Sequence, residues 1–121
     1  MPVDPTPEQV SRLVGEDNGG PVVMLNLLRY KPDGGRGSYE AYGAKALPFL
    51  QEAGAEIVFA GEAASPLIGD DDCDWDTVIL VRYPSVQAFL DMVTSEGYQA
   101  ITHLRTEGLE KAELHPLTPP A

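Results

Sequence analysis

The ten residues Pro21-Val22-Val23-Met24-Leu25-Asn26-Leu27-Leu28-Arg29-Tyr30 constrain this chain more than any other stretch. They are its strongest apolar run, and they lie between the breakers Gly19-Gly20-Pro21 and Lys31-Pro32-Asp33-Gly34-Gly35. Such a run between breakers reads as a short buried strand. Side chains alternate across a strand. Val22, Met24, Asn26, Leu28 and Tyr30 therefore share one face, and Val23, Leu25, Leu27 and Arg29 the other. Both faces are apolar, so both need cover. Asn26 is polar in the middle of the run, and an unpaired buried amide costs roughly 1–3 kcal/mol. Two readings follow: a structural Asn bonded to neighbouring backbone or water, or an amide that lines an internal pocket and bonds a ligand.

At 121 residues the chain is one domain with a full core. Its 43% hydrophobic and 22% charged residues are a globular composition. Eight basic against 19 acidic residues leave a net charge of −11, which repels nucleic acid and anionic membrane, so neither is an expected partner. The single cysteine, Cys73, allows no internal disulfide and fits a reducing compartment. Its aspartate neighbours disfavour a thiolate, so it is not read as a nucleophile. Met1 to Pro5 has neither the basic region nor the apolar core of a signal peptide. No apolar run approaches membrane-spanning length. A cytoplasmic protein is expected.

Taken in order, Thr6-Pro7-Glu8-Gln9 predicts a capped helix start, with Val10, Leu13 and Val14 as its apolar side and an end by Gly15 to Gly20. Pro32 to Gly37 reads as a flexible loop, and its glycines complete no phosphate-binding fingerprint. Ser38 is expected to cap a helix ending at Gly54, with Pro48 kinking it. Ala55 to Ala63 is a second strand with a bulge or close backbone approach at Gly61, and Leu67-Ile68 is expected to extend it before an acidic turn. Asp70, Asp71, Asp72 and Asp74 lack calcium-loop spacing and read as a solvated hairpin tip. Trp75 to Tyr83 is a third strand, Ser85 caps a helix through Val93, and Thr94 or Ser95 restarts a helical segment bearing Tyr98 and Arg105. A weaker strand covers Ala112 to Leu117, with its start near Gly108 undetermined.

The order is a helix followed by β-α-β-β-α-β, the ferredoxin-like plan: an α+β fold with an antiparallel sheet and helices on one face. Residues 1–20 form an N-terminal helical extension, 21–117 the domain and 118–121 a tail. Strands apolar on both sides require cover on the far face. A second copy of the same sheet supplies it, so a symmetric homodimer enclosing a cavity is expected.

Val23-Met24-Leu25-Asn26-Leu27-Leu28-Arg29-Tyr30, Tyr39-x-x-Tyr42, Gly61, Ile68-Gly69, Trp75-Asp76, Leu80 to Ser85 and Phe89-Leu90-x-Met92-Val93 together resemble the family catalogued as domain of unknown function 1330. His103-x-Arg105-Thr106 and Leu109-Glu110 are similar to its longer members. The resemblance spans about residues 21–117. It implies a dimeric α+β barrel and no established activity. The wider group includes cofactor-independent and haem-degrading monooxygenases and small isomerases or dehydratases, and fold alone does not choose among them. Asn26 is similar to the first-strand Asn of the haem-degrading type. Met92 stands where that type has a Trp, and His103 lies one position off its His, so haem is not the expected cofactor.

No His, Cys or carboxylate spacing matches a metal site, and neither metal nor cofactor is expected. His103 is the natural proton carrier near neutral pH, or else a packing residue. Tyr39 and Tyr42, one turn apart, are packing residues or pocket hydroxyls. Arg82, on a strand among apolar neighbours, needs an anion: an acidic side chain, or a substrate carboxylate or enolate. The candidate set is thus His103 and Tyr42 for catalysis, with Asn26, Arg82, Tyr39, Trp75 and Arg105 for binding. An enzyme acting on a small, partly apolar, oxygenated molecule and a non-catalytic binding or stabilising module are both compatible with this set. Convergence of Asn26, Arg82 and His103 within hydrogen-bond reach of one cavity would favour catalysis, and their pointing to different faces would defeat the catalytic role proposed for this trio.

Overall fold

A computed structural model describes residues 3–70 and 72–119. Asp71 of the aspartate turn and Pro120 of the tail lie outside the described residues. The elements are α1 (Pro7–Gly15), β1 (Val22–Tyr30), α2 (Gly35–Glu52), β2 (Glu56–Glu62), β3 (Thr77–Tyr83), α3 (Val86–Val93), α4 (Glu96–Gln99), α5 (Thr102–Gly108) and β4 (Leu109–Leu117). The strands form one open antiparallel sheet in the order β2-β3-β1-β4. This is the ferredoxin-like α+β arrangement, preceded by a short helix.

Local chemistry places several elements where the sequence puts them. Thr6 and Gln9 form a reciprocal capping box on α1. Ser85 accepts from the Ala88 N–H at 3.0 Å to start α3, and Ser95 accepts from the Tyr98 N–H at 3.3 Å to start α4. Val22, Met24, Val81 and Tyr83 on one face of the sheet pack with Ala46, Val86, Met92 and Tyr98 of the helices.

Other expectations are corrected. Helix α2 begins at Gly35, not at a Ser38 cap, because Asp33 (φ 61) and Gly34 (φ 100) turn the chain left-handed straight into the first turn. The Gly34–Gly37 stretch is therefore mostly helix. Pro48 lies within α2, which runs unbroken past it. Strand β3 starts at Thr77, so Trp75 belongs to the preceding loop. Strand β4 starts at Leu109, where pairing with Tyr30 extends it. The irregularity in β2 falls between Ile57 and Phe59, whereas Gly61 is paired with Val78 and lies beneath the Phe59 ring, where a Cβ would come within 2.7 Å of Cζ. Leu67 and Ile68 extend no strand, and they are 99% and 94% exposed.

The far face of the sheet carries Val23, Leu25, Leu27, Val78, Leu80 and Phe59, aligned by the cross-strand register. These are half-buried to exposed, and the single chain leaves the face open. At one end Arg29 pairs with Asp74 and stands 3.3 Å from Glu110. The Lys111 ammonium lies 4.4 Å from the Trp75 ring centre.

Candidate functional site

Four of the five tyrosines gather on the helix face of the sheet. The rings of Tyr30 and Tyr39 are 5.7 Å apart, those of Tyr39 and Tyr42 5.3 Å, and those of Tyr42 and Tyr98 6.1 Å. Tyr30 ends β1. Tyr39 and Tyr42 stand one turn apart on α2, and Tyr98 sits in the first turn of α4 behind its Ser95 cap. The Tyr42 and Tyr98 hydroxyls share a short hydrogen bond. One of them donates and the other accepts, so one phenolic proton remains available.

Two glycines bring Arg105 to this group. The start of α2 and the end of α5 touch at Gly35 and Gly108. A Cβ on either would lie 2.6 Å from the other's carbonyl oxygen. Tyr39 follows Gly35 by one turn and Arg105 precedes Gly108 by one turn. The guanidinium acts on both Tyr39 and Tyr42, drawing each phenol partway back toward ionisation. Burial wins against that pull. It pushes Tyr39 up to about 12, and burial together with the Tyr98 hydroxyl drives Tyr42 further in the same direction. At neutral pH these hydroxyls are therefore protonated donors, not bases.

A second polar chain flanks the tyrosines. Tyr30 Oη donates to Thr77 Oγ1 at 2.9 Å, Thr77 donates to Glu62 at 2.8 Å, and Glu62 pairs with Arg36 at 2.8 Å. Arg36 also lies over the Tyr30 ring, 4.6 Å from its centre. The hydrogen bond from Thr77, followed by Arg36, holds the Glu62 carboxyl below its ordinary range.

Of the predicted residues, Tyr39, Tyr42 and Arg105 come together. Asn26 lies on the same sheet face, where its Nδ2 donates to the Met24 and Ile79 carbonyls, each at 3.3 Å. No described side chain or backbone group donates to its Oδ1, which is left as an acceptor. Arg82 is exposed on the opposite face, paired in register with Val23 and Glu56. No described carboxylate reaches it within ion-pair distance. His103 is exposed on α5. Trp75 borders a separate groove of about 370 Å³ with Pro66, Cys73, Asp74 and Asp76. Asn26, Arg82 and His103 thus do not converge, and a cavity between facing sheets would be lined by Leu25 and Leu80, not by Asn26. Tyr30 and Tyr98 were absent from the sequence-derived set. The count of five tyrosines against three phenylalanines was a usable signal. Among the described residues no group of three or more His, Cys, Asp or Glu gathers as a metal site requires, and no described helix is long and apolar enough to cross a membrane.

No protein of curated function matches the sequence. Among solved structures, a protein of unknown function from Rhodopseudomonas palustris is 33% identical, with a TM-score of 0.92 over 98% of this chain and 97% of that one. A DABB family protein with a ferredoxin-like fold from Mesorhizobium loti is 14% identical, with a TM-score of 0.62 over 84% of this chain and 99% of that one. A hydroxynitrile lyase from Passiflora edulis is 17% identical, with a TM-score of 0.63 over 82% and 93%. The last two likenesses concern the fold alone. The family model described as domain of unknown function (DUF1330) matches residues 35–114. That span runs from the first residue of α2 to the middle of β4, and the chain belongs to the DUF1330 family.

Proposed function

We propose that this protein binds a small, partly apolar, oxygenated organic molecule against the tyrosine cluster. The observation that carries this reading is the Tyr39–Tyr42–Tyr98 cluster with its Tyr42–Tyr98 hydroxyl pair, against which the close packing of Gly108 on Gly35 and Tyr39 seats the turn that bears Arg105. Aromatic faces suit an apolar body, and phenolic donors with a cation suit an oxygen bearing partial or full negative charge. If the bound molecule reacts, the same donors hold an enolate in a metal- and cofactor-independent step of the monooxygenase or isomerase type, with Tyr42 as the proton donor. A non-catalytic binding module is the second reading. The exposure of His103 away from the cluster favours it, since no group titrating near neutrality is then seen at the site.

The working unit in this proposal is a cytoplasmic homodimer. Its support is the apolar far face, with Leu25, Leu80 and Phe59 at the centre and the Arg29–Asp74 pair at one end. The exposed single Cys73 fits a reducing compartment. Native mass spectrometry on the protein as purified tests both parts. A dimer that retains a small molecule supports the reading and identifies the ligand's class. A monomer at micromolar concentration removes the facing-sheet dimer. Separately, Tyr42→Phe should weaken retention of the molecule without unfolding the chain, and unchanged retention would count against the tyrosine site.

A further inference from the structure

Arg105 is tied to the N-terminal segment across the whole length of the chain. Its Nη1 donates to the Val3 carbonyl at 2.5 Å, and the Asp4 carboxylate lies 3.8 Å away. The Arg105 side chain is only 16% exposed and that of Asp4 69%. Among the described residues, these contacts engage one N–H of Arg105 directly, although the group carries five. A planar carboxylate engages two at once. The occupant is therefore an imperfect match for the group it meets.

The segment is also lightly held. Among the described residues, the Arg105 contacts are the only polar ties of Val3 and Asp4 to the domain. Helix α1, which follows, has no fully buried residue. Displacing residues 3 and 4 from Arg105 breaks these contacts and uncovers the half-buried Val3, while α1 stays seated on the core through Leu13.

We infer that the ligand of the tyrosine site carries a carboxylate that pairs with Arg105, and that Val3 and Asp4 occupy its place until it arrives. This rests on the binding reading above and narrows it to organic acids. The apolar part of the acid lies against the Tyr39 and Tyr42 rings, and its carboxylate displaces the Val3 carbonyl and the Asp4 carboxylate. Occupancy is then a competition between an intramolecular carboxylate and a free one.

The test uses the full chain with benzoate as the probe and benzamide as its neutral counterpart, titrated by calorimetry and by chemical shifts of the tyrosine rings. Benzoate should bind in preference to benzamide. Asp4→Asn removes the competing carboxylate but leaves the Val3 carbonyl, and should tighten benzoate about two- to fivefold, as expected for one partly exposed ion pair, with benzamide unchanged. Arg105→Gln should abolish the preference for benzoate. If Asp4→Asn leaves benzoate affinity unchanged while Arg105→Gln still removes it, the Asp4 carboxylate is refuted as a competitor and the anion site stands. If benzoate and benzamide bind equally in every variant, the carboxylate assignment is refuted. If neither probe shifts the tyrosine signals in any variant, the tyrosine site itself is refuted.

Discussion

Replacing Gly108 by alanine should destabilise the protein, and replacing Gly43 by alanine should stabilise it. Both glycines lie in helices, so propensity alone predicts a gain of about 0.5–1 kcal/mol for each. At Gly43 that gain stands, because a Cβ there meets nothing within 4 Å. At Gly108 the new Cβ would lie 2.6 Å from the Gly35 carbonyl oxygen and 2.9 Å from the Tyr39 nitrogen. Both are backbone atoms of α2, so no side-chain rotation relieves the overlap. Reaching ordinary contact at 3.4 Å requires the two segments to part by 3.4 − 2.6 = 0.8 Å. Overpacking of this kind costs about 1–3 kcal/mol, which outweighs the propensity gain. For a chain of this length, 1 kcal/mol moves Tm by roughly 3–6 °C. Thermal melts followed by circular dichroism should therefore place Gly108→Ala several degrees below the parent and Gly43→Ala a few degrees above it. A Gly108→Ala variant at or above the parent's Tm would refute the close crossing. The same 0.8 Å separation would move Arg105 away from Tyr39, so benzoate binding should weaken in Gly108→Ala and persist in Gly43→Ala.

Alkaline conditions should loosen the fold in a defined window. Tyr39 rises from 10.0 to about 12, so below pH about 10 its contribution is complete. As pH climbs from about 10 to about 12, the unfolded chain releases a proton that the folded chain keeps, and stability falls. At about 1.4 kcal/mol per pH unit this amounts to roughly 3 kcal/mol from Tyr39. Tyr42 and Tyr83, both raised chiefly by burial, add to the loss. Urea midpoints that stay flat from pH 9 to 12 would contradict this burial. Tyr42→Phe and Tyr98→Phe should each cost roughly 1–3 kcal/mol by stranding the other hydroxyl, and the double variant should cost clearly less than their sum; additive losses in denaturant titrations would argue against the shared hydrogen bond. Leu25→Lys places a charge at the centre of the open face and should leave the protein folded but monomeric by light scattering; a persistent dimer would exclude this face as the interface.

The sequence by itself determined what is local. The capping residues Thr6, Ser85 and Ser95 set their helix starts by accepting from the backbone N–H three residues on. The apolar run of β1 and the order of the elements were enough to imply the ferredoxin-like sheet. Alternation along β1 correctly grouped Asn26 with Met24 and Leu28, and Leu25 with Leu27. It did not show which group the helices would cover, because both groups are apolar. That was decided when the crossover connections put the helices on one side of the sheet, which left Leu25 and Arg82 on the open face and Asn26 on the covered one. The start of α2 at Gly35 was similarly hidden, since the left-handed turn at Asp33 and Gly34 that opens it also seats Gly35 against Gly108 far along the chain. The candidate site depends on such distant pairings: Tyr42 with Tyr98 across 56 residues, and Arg105 with Val3 across 102. A residue pattern records the period of its own strand or helix, whereas these contacts exist only because packing brings separate elements to the same few ångströms.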